Sequence, residues 1–344
     1  MATGPGDNTS EKEENDDAIE GTVFSRSWVL SLLVKLVRAA EETPSEEDER
    51  NYELEETTEN ELCLLWDLTV NTEIVSFMQE HDSVQLLVGC IMRSKYDRLT
   101  EICLGICNNI ACKTDDRAKD FIIPDIINIC LSLLAHSDSN VLLELSRLII
   151  TCLTCVDTQF HWTKAISTSD TFLNDISFIF SSSTNCDLLR NAATILDTIF
   201  DIETDLLSKW SSSSELMNGI CEALDECKNN TDITSRLMCI LQSYTTTENG
   251  IASLITNGEK LYHHVVHYFS RSYNSHASSD DSEGVVATLS FSHFILINFP
   301  EESKILKKLL SSDEDVMKYL KKLTENKNCQ VHAAEIIKVL LRNE

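Results

Sequence analysis

The sequence predicts an all-α chain built from repeated helical pairs, and three observations carry that prediction. Apolar residues recur at helical spacing in one segment after another. Short polar turns separate the segments. Helix breakers are scarce, with 9 Gly and 4 Pro in 344 residues, where an average chain has roughly 7% and 5%. The segment 60–116 shows the pattern best. Val84, Leu87, Val88 and Ile91 fall at i, i+3, i+4 and i+7. After the polar turn Ser94-Lys95-Tyr96-Asp97, the residues Leu99, Ile102, Cys103, Ile106 and Ile110 repeat that spacing. Each set makes one apolar stripe on a helix. A short turn between two such helices makes an antiparallel pair. One pair cannot bury both its apolar faces, so it needs neighbours of the same kind.

Taken in order, residues 1–20 read as a disordered acidic tail with nothing to bury. A helix follows within 21–40, with Ser25 or Ser27 as N-cap and Trp28, Val29, Leu32, Leu33, Leu36 and Val37 facing inward. Residues 41–59 carry Pro44 and a run of acids, and are expected to be a flexible linker. The repeat domain then spans 60–344. Leu62, Leu65, Trp66 and Thr69 share a face, which predicts a mostly buried Trp66. Ile74, Val75, Phe77 and Met78 make a short second segment. Later pairs are 121–135 with 141–156, 172–180 with 188–200, 216–227 with 233–244, 261–269 with 285–299, and 316–323 with 331–341. Residues 203–210 and 248–256 suit the short first helix of a three-helix repeat. The second helices start roughly 43–50 residues apart, close to the armadillo/HEAT period. The expected fold is therefore an armadillo/HEAT-like α-solenoid of about six degenerate repeats. Gly105 stands mid-helix, where it costs roughly 1 kcal/mol relative to Ala, and a close helix–helix approach would account for it. Gly89 fits the same account.

Charge and thiols bound the function. The chain has 28 basic and 56 acidic side chains, net −28. Residues 1–61 contribute −13, residues 62–300 contribute −16, and residues 301–344 contribute +1. Such a chain repels phosphate backbones and anionic membrane surfaces, which argues against direct nucleic-acid or membrane binding. No apolar run approaches the roughly 20 residues that cross a bilayer. The 13 Cys are an odd number, mostly set among apolar residues. The first twenty residues are polar and acidic rather than a signal peptide. Reduced, buried thiols in a cytosolic or nuclear protein are expected, with the glycosylation matches at Asn8 and Asn229 unused.

Candidate chemistry is thin. His263 and His267 lie at i, i+4 beside His264, a spacing that can hold a metal, yet no HExxH motif is present. A polar helix face is the expected reading. Cys152-x-x-Cys155 lacks a partner CxxC, and it shares a structural reading with Cys103, Cys107 and Cys112. Cys227 sits in a polar turn and is expected to be exposed and oxidisable. Phosphate-cradling and nucleophile-elbow motifs are absent. Ser10, Ser45, Ser278 and Ser312 each have an acid three positions on and could accept phosphate from an acid-directed kinase. No catalytic, cofactor or metal residue is assigned. The expected role is a non-enzymatic interaction scaffold binding a protein partner with a basic segment. The alternative is a metal- or thiol-dependent enzyme or regulator. Lys304, Lys307, Lys308, Lys318, Lys321, Lys322 and Lys327 would bind an acidic partner or the chain's own acidic tail.

Five ordered segments carry a family resemblance. They are Gly21-Thr22-Val23-Phe24-Ser25 with Trp28; Asn60-Glu61-Leu62-Cys63 with Trp66-Asp67 and Gln79-Glu80; Glu101-Ile102-Cys103 with Gly105-Ile106, Asn109 and Ala111-Cys112; Leu142-Leu143-Glu144 with Ser146-Arg147-Leu148 and Thr151-Cys152-Leu153; and Ser181-Ser182-Ser183-Thr184-Asn185 with Asp187-Leu188-Leu189. Together they resemble the serum amyloid A-like protein 1 family, also called synoviocyte proliferation-associated proteins, over roughly residues 21–200. The resemblance implies an armadillo-type fold, a nuclear location, a link to cell proliferation and no established catalysis. Peptide-binding armadillo proteins carry Asn near the end of the third helix, with Trp one turn earlier. Asn109-Ile110-Ala111 looks like that segment, but Gly105 stands at the Trp place, and the next equivalents are Cys152 and Asp197. A regular Asn/Trp ladder is therefore not expected.

Overall fold

The computed structural model describes residues 17–42, 53–112, 120–274 and 283–342. Among them are nineteen α-helices and no strand beyond an isolated bridge between Ala18 and Ser25. The chain divides into two compact units, Met1–Ala165 and Ile166–Glu344.

The first unit opens with α1 (Arg26–Glu41), capped by Ser25, whose hydroxyl accepts the Trp28 N–H at 3.2 Å. Of the two caps the sequence offered, Ser25 is the one used. The expected tail ends earlier. Ile19 is buried, and Asp17 accepts the Ser27 N–H at 3.0 Å, so residues 17–20 belong to the fold. The expected linker shrinks from both ends, since Glu41 closes α1, Leu54 is buried, and α2 (Glu56–Leu68) already starts at Glu56. Residues 1–16 and 43–52, with Asn8, Ser10 and Ser45, lie outside the described residues, as does Ser278.

A three-helix repeat follows, α3 (Thr72–Gln79), α4 (Ser83–Arg93) and α5 (Asp97–Ala111). The α5 helix is the core of this unit. It packs against α1, α2, α4 and α7 (Ser139–Thr154), and it buries Thr100 and Asn108 along with its apolar stripe. A helix buried on nearly all sides tolerates polar groups only when they are bonded. Asn108 Oδ1 accordingly accepts the Thr151 hydroxyl of α7 at 2.8 Å. The α6 helix (Pro124–Ser132) opens with Pro at its first turn and tightens into a 3₁₀ turn through Ala135. The α8 helix (Val156–Thr168) was not anticipated. It buries Trp162, whose indole N–H donates to the Phe121 carbonyl at 2.8 Å.

The second unit begins with the pair α9 (Phe172–Ser182) and α10 (Cys186–Ile202). Three three-helix repeats follow: α11 (Thr204–Trp210), α12 (Ser214–Glu226) and α13 (Thr231–Tyr244); α14 (Glu248–Thr256), α15 (Gly258–Asn274) and α16 (Glu283–Asn298); α17 (Lys304–Ser312), α18 (Glu314–Leu323) and α19 (Gln330–Leu341). The α17 helix was not anticipated either. Within the unit, α9, α12, α15 and α18 stack in one layer, and α10, α13, α16 and α19 stack in the other. Gly219 of α12 lets the first layer close up. A Cβ there would lie 2.8 Å from the Ser177 carbonyl and 2.9 Å from Phe180 Cβ of α9.

Bonds between successive repeats recur at a steady offset. Arg98 reaches Glu59 and Asn109 reaches Thr69, 39 and 40 residues apart. Arg190 reaches Asp232, Asn249 the Ser208 carbonyl, and His332 meets His293, at 42, 41 and 39. These offsets fall just below the roughly 43–50 read from helix starts, because each rung joins positions that are not equivalent along their two helices.

Candidate interaction surface

The α2, α5 and α7 helices of the first unit carry a line of polar rungs. Arg98 Nε donates to Glu59 Oε1 at 2.8 Å across the repeat junction, and Nη1 pairs with Glu101 at 2.7 Å. Arg98 Nη2 donates to Cys63 Sγ at 3.2 Å. Further along, buried Glu144 pairs with Arg147 at 2.8 Å. Burial raises the Glu144 pKa, and the Arg147 guanidinium opposes the shift. Between these charges lies Trp66. Its indole crosses α5 over Gly105, where a Cβ would overlap ring atoms Cε2 and Cζ2. The glycine is thus explained by a close approach, as expected, though the approaching group is a side chain. Trp66 is largely but not fully buried, as it lies over the neighbouring helix with part of the ring still accessible. Asn109 Nδ2 donates to Thr69 Oγ1 at 2.9 Å, so this amide is occupied in joining repeats.

The layer of α10, α13, α16 and α19 in the second unit also carries more acids than cations. Arg190 on α10 bridges Asp187 and Asp232, each at 2.6 Å. Two turns further, half-buried Asp197 has its carboxyl pushed up to about 6 by burial, with Asp201 and Glu283 adding to the shift and Arg236 opposing it. The same surroundings act on Cys239, where burial and the Asp197 charge push the thiol up to about 12. At the end of the layer, His293 and His332 meet Nδ1 to Nδ1 at 3.0 Å, so one ring donates to the other.

The remaining candidates sit apart from these layers. His263 and His267 are exposed on α15, while His264 leans toward Asp225 at 3.8 Å and burial lowers its pKa. Among the described residues no three His, Cys, Asp or Glu come together as metal ligands. Cys103, Cys107 and Cys152 are buried, and burial drives their pKa values up. Two thiol expectations are corrected. Cys112 is exposed at the end of α5, not core. Cys227 is buried, because at the C-terminus of α12 its side chain turns toward Cys186 instead of the solvent. Ser312 is exposed at the end of α17. The lysines are partly neutralised locally: Lys304 by Glu301 at 2.6 Å, and Lys318 by Asp315 at 3.5 Å. Asp197 was noted in sequence only as a ladder position lacking Trp. Its neighbour Glu283 is far along the chain, so no sequence signal joins them.

Stacked helical repeats joined by rungs roughly one repeat apart define an all-α, armadillo-like repeat protein. The SAAL1 C-terminal domain model matches residues 172–281. Protein saal1 of Xenopus tropicalis is 31% identical over 274 residues, 73% of this chain and 59% of that protein. Protein SAAL1 of Homo sapiens is 33% identical over 234 residues, 66% of this chain and 48% of that protein. The chain belongs to the SAAL1 family, and it spans about half the length of the curated relatives it matches. A designed armadillo repeat protein, YIII(Dq)4CqI, superposes over 91% of this chain and 99% of its own at 12% identity, with a TM-score of 0.41. No helix among the described residues is long and apolar enough to cross a membrane.

Proposed function

We propose that this chain is a non-enzymatic interaction scaffold that docks a basic segment of a protein partner on the acidic layer of its second unit. It would act in the nucleus in support of cell proliferation, the setting that the family resemblance implies. Helical repeats present long continuous surfaces suited to extended partners. The observation that carries the reading is Asp197. Burial, with the charges of Asp201 and Glu283 adding to it, raises its carboxyl to about 6, so a cation brought beside these three acids would favour their charged forms. A lysine or arginine from a partner would supply that cation. Exposed pairs are each worth only about 0–1 kcal/mol, so apolar anchors must add affinity. Charge would then govern association rate and salt sensitivity.

The test uses a fluorescent Lys/Arg-rich peptide and the full chain. Reversing charge with Asp201→Lys and Glu283→Lys should slow association by about tenfold and flatten its dependence on ionic strength. Asp125→Lys, an exposed site in the first unit, serves as the control. An on-rate indifferent to salt in the unaltered chain would sink the proposal. Metal analysis of the purified protein separates the scaffold from a metal-dependent enzyme, which would carry a stoichiometric, chelator-sensitive ion.

A further inference from the structure

The sulfurs of Cys186 and Cys227 stand 3.8 Å apart. Cys186 is the first residue of α10 and is half-exposed, while Cys227 closes α12 and is 2% exposed. Their 41-residue offset is the offset of the other rungs, so the repeat geometry itself brings the two thiols together. Sulfurs at that separation are in contact. A disulfide requires about 2.0 Å, so forming one would draw the two sulfurs closer than they stand in the reduced pair.

We propose that Cys186 and Cys227 form a dithiol modification site, oxidised reversibly to an intramolecular disulfide by a low-molecular-weight disulfide such as oxidised glutathione. The accessible partner reacts first. The Cys186 thiolate attacks one sulfur of the reagent, forms a mixed disulfide and releases one glutathione thiolate, which takes up a proton. Cys227 then attacks Cys186 Sγ, gives up its proton and expels the second glutathione. The two protein thiols lose two electrons and two protons, and the reagent's disulfide gains them and leaves as two thiols. Burial, followed by the hydrogen bond with Cys186, pushes the Cys227 thiol up to about 12. Cys227 therefore suits the second step, in which the target sulfur is already in contact, better than attack on a free reagent. The product is a covalent rung joining the start of α10 to the end of α12, one turn from the Arg190–Asp232 ion pair. Closing a loop of this length restricts the unfolded chain and so stabilises the fold.

The test is to treat the full chain with oxidised glutathione, block free thiols, digest without reduction and map the bonds. The expected product is a Cys186–Cys227 link two hydrogens lighter than the free pair. A thermal midpoint several degrees higher should accompany it and be reversed by dithiothreitol. Cys227→Ser should leave glutathione trapped on Cys186, and Cys186→Ser should lose both the link and the thermal shift. Two results would overturn the proposal: glutathionylated Cys186 with no bond to Cys227 in the unaltered chain, or crosslinks scattered equally onto exposed Cys112 and half-exposed Cys63. If Cys227→Ser fails to fold, mapping of the unaltered chain together with the half-exposed Cys186→Ser still decides.

Discussion

Gly105 and Trp66 act as one structural device. The indole fills the space that any side chain at 105 would need. Gly105→Ala should therefore destabilise by about 1–3 kcal/mol, an overpacking cost that outweighs the helix propensity gained. Trp66→Ala should cost about 3 kcal/mol, the low end of the 3–5 typical of a fully buried ring, because part of Trp66 stays exposed. In the Trp66→Ala background, Gly105→Ala should become neutral or stabilising. Denaturant unfolding of the four proteins measures that coupling, and simple additivity would disprove the contact. Asp197 carries a second residue-scale prediction. Its folded pKa of about 6 lies above the ordinary aspartate value of 3.8, so the fold favours the protonated form. The stability linked to it is fully present below about pH 4 and is lost as pH rises through about 6. Asp197→Asn should hence stabilise by about 1 kcal/mol at pH 8, after discounting for solvent screening, and do nothing near pH 4. It should weaken binding of the basic peptide at the same time, a trade of function for stability.

At the scale of elements, the long returning helices are held by side-chain caps. Asp138 Oδ1 accepts the Asn140 and Val141 N–H groups, each at 2.9 Å, at the start of α7. Asn185 does the same for α10, and Asp313 for α18. Asp138→Ala should cost about 1 kcal/mol by urea melt, and Asp138→Ser should restore most of it, since a hydroxyl can accept the same N–H groups. The apolar stripes were legible in sequence, which is why the long pairs fall where expected, while these caps emerged only with the structure. The α8 and α17 helices were not legible in sequence. The α8 sequence holds Thr158, Thr163 and Trp162 among its buried residues, so its inward face looks polar on paper. The α17 sequence is lysine-rich and buries only Leu306 and Leu310, too few positions to set a period by themselves.

At the scale of the molecule, the net charge of −28 works against compactness. At about 10 mM salt the Debye length is about 30 Å and like charges repel across several helices; at about 150 mM it is about 8 Å. The thermal midpoint should therefore rise as sodium chloride is increased over that range, measured by loss of helical circular dichroism. A midpoint that falls with salt would mean that attractive ion pairs such as Arg190–Asp232 outweigh the repulsion.

The sequence alone determined the helical class, the pairing of helices and the acidic balance. Each of these follows from residues close together in the chain: stripes at i, i+3 and i+4, turns of a few polar residues, and a sum of charges. Tertiary structure alone decided what lies across a repeat junction. Trp66 rests on Gly105, Asp197 lies near Glu283, and Cys227 turns inward to meet Cys186. Those partners are about 40 residues apart or more. Which side chains meet there depends on how one repeat stacks on the next, and degenerate repeats leave no local pattern that states it.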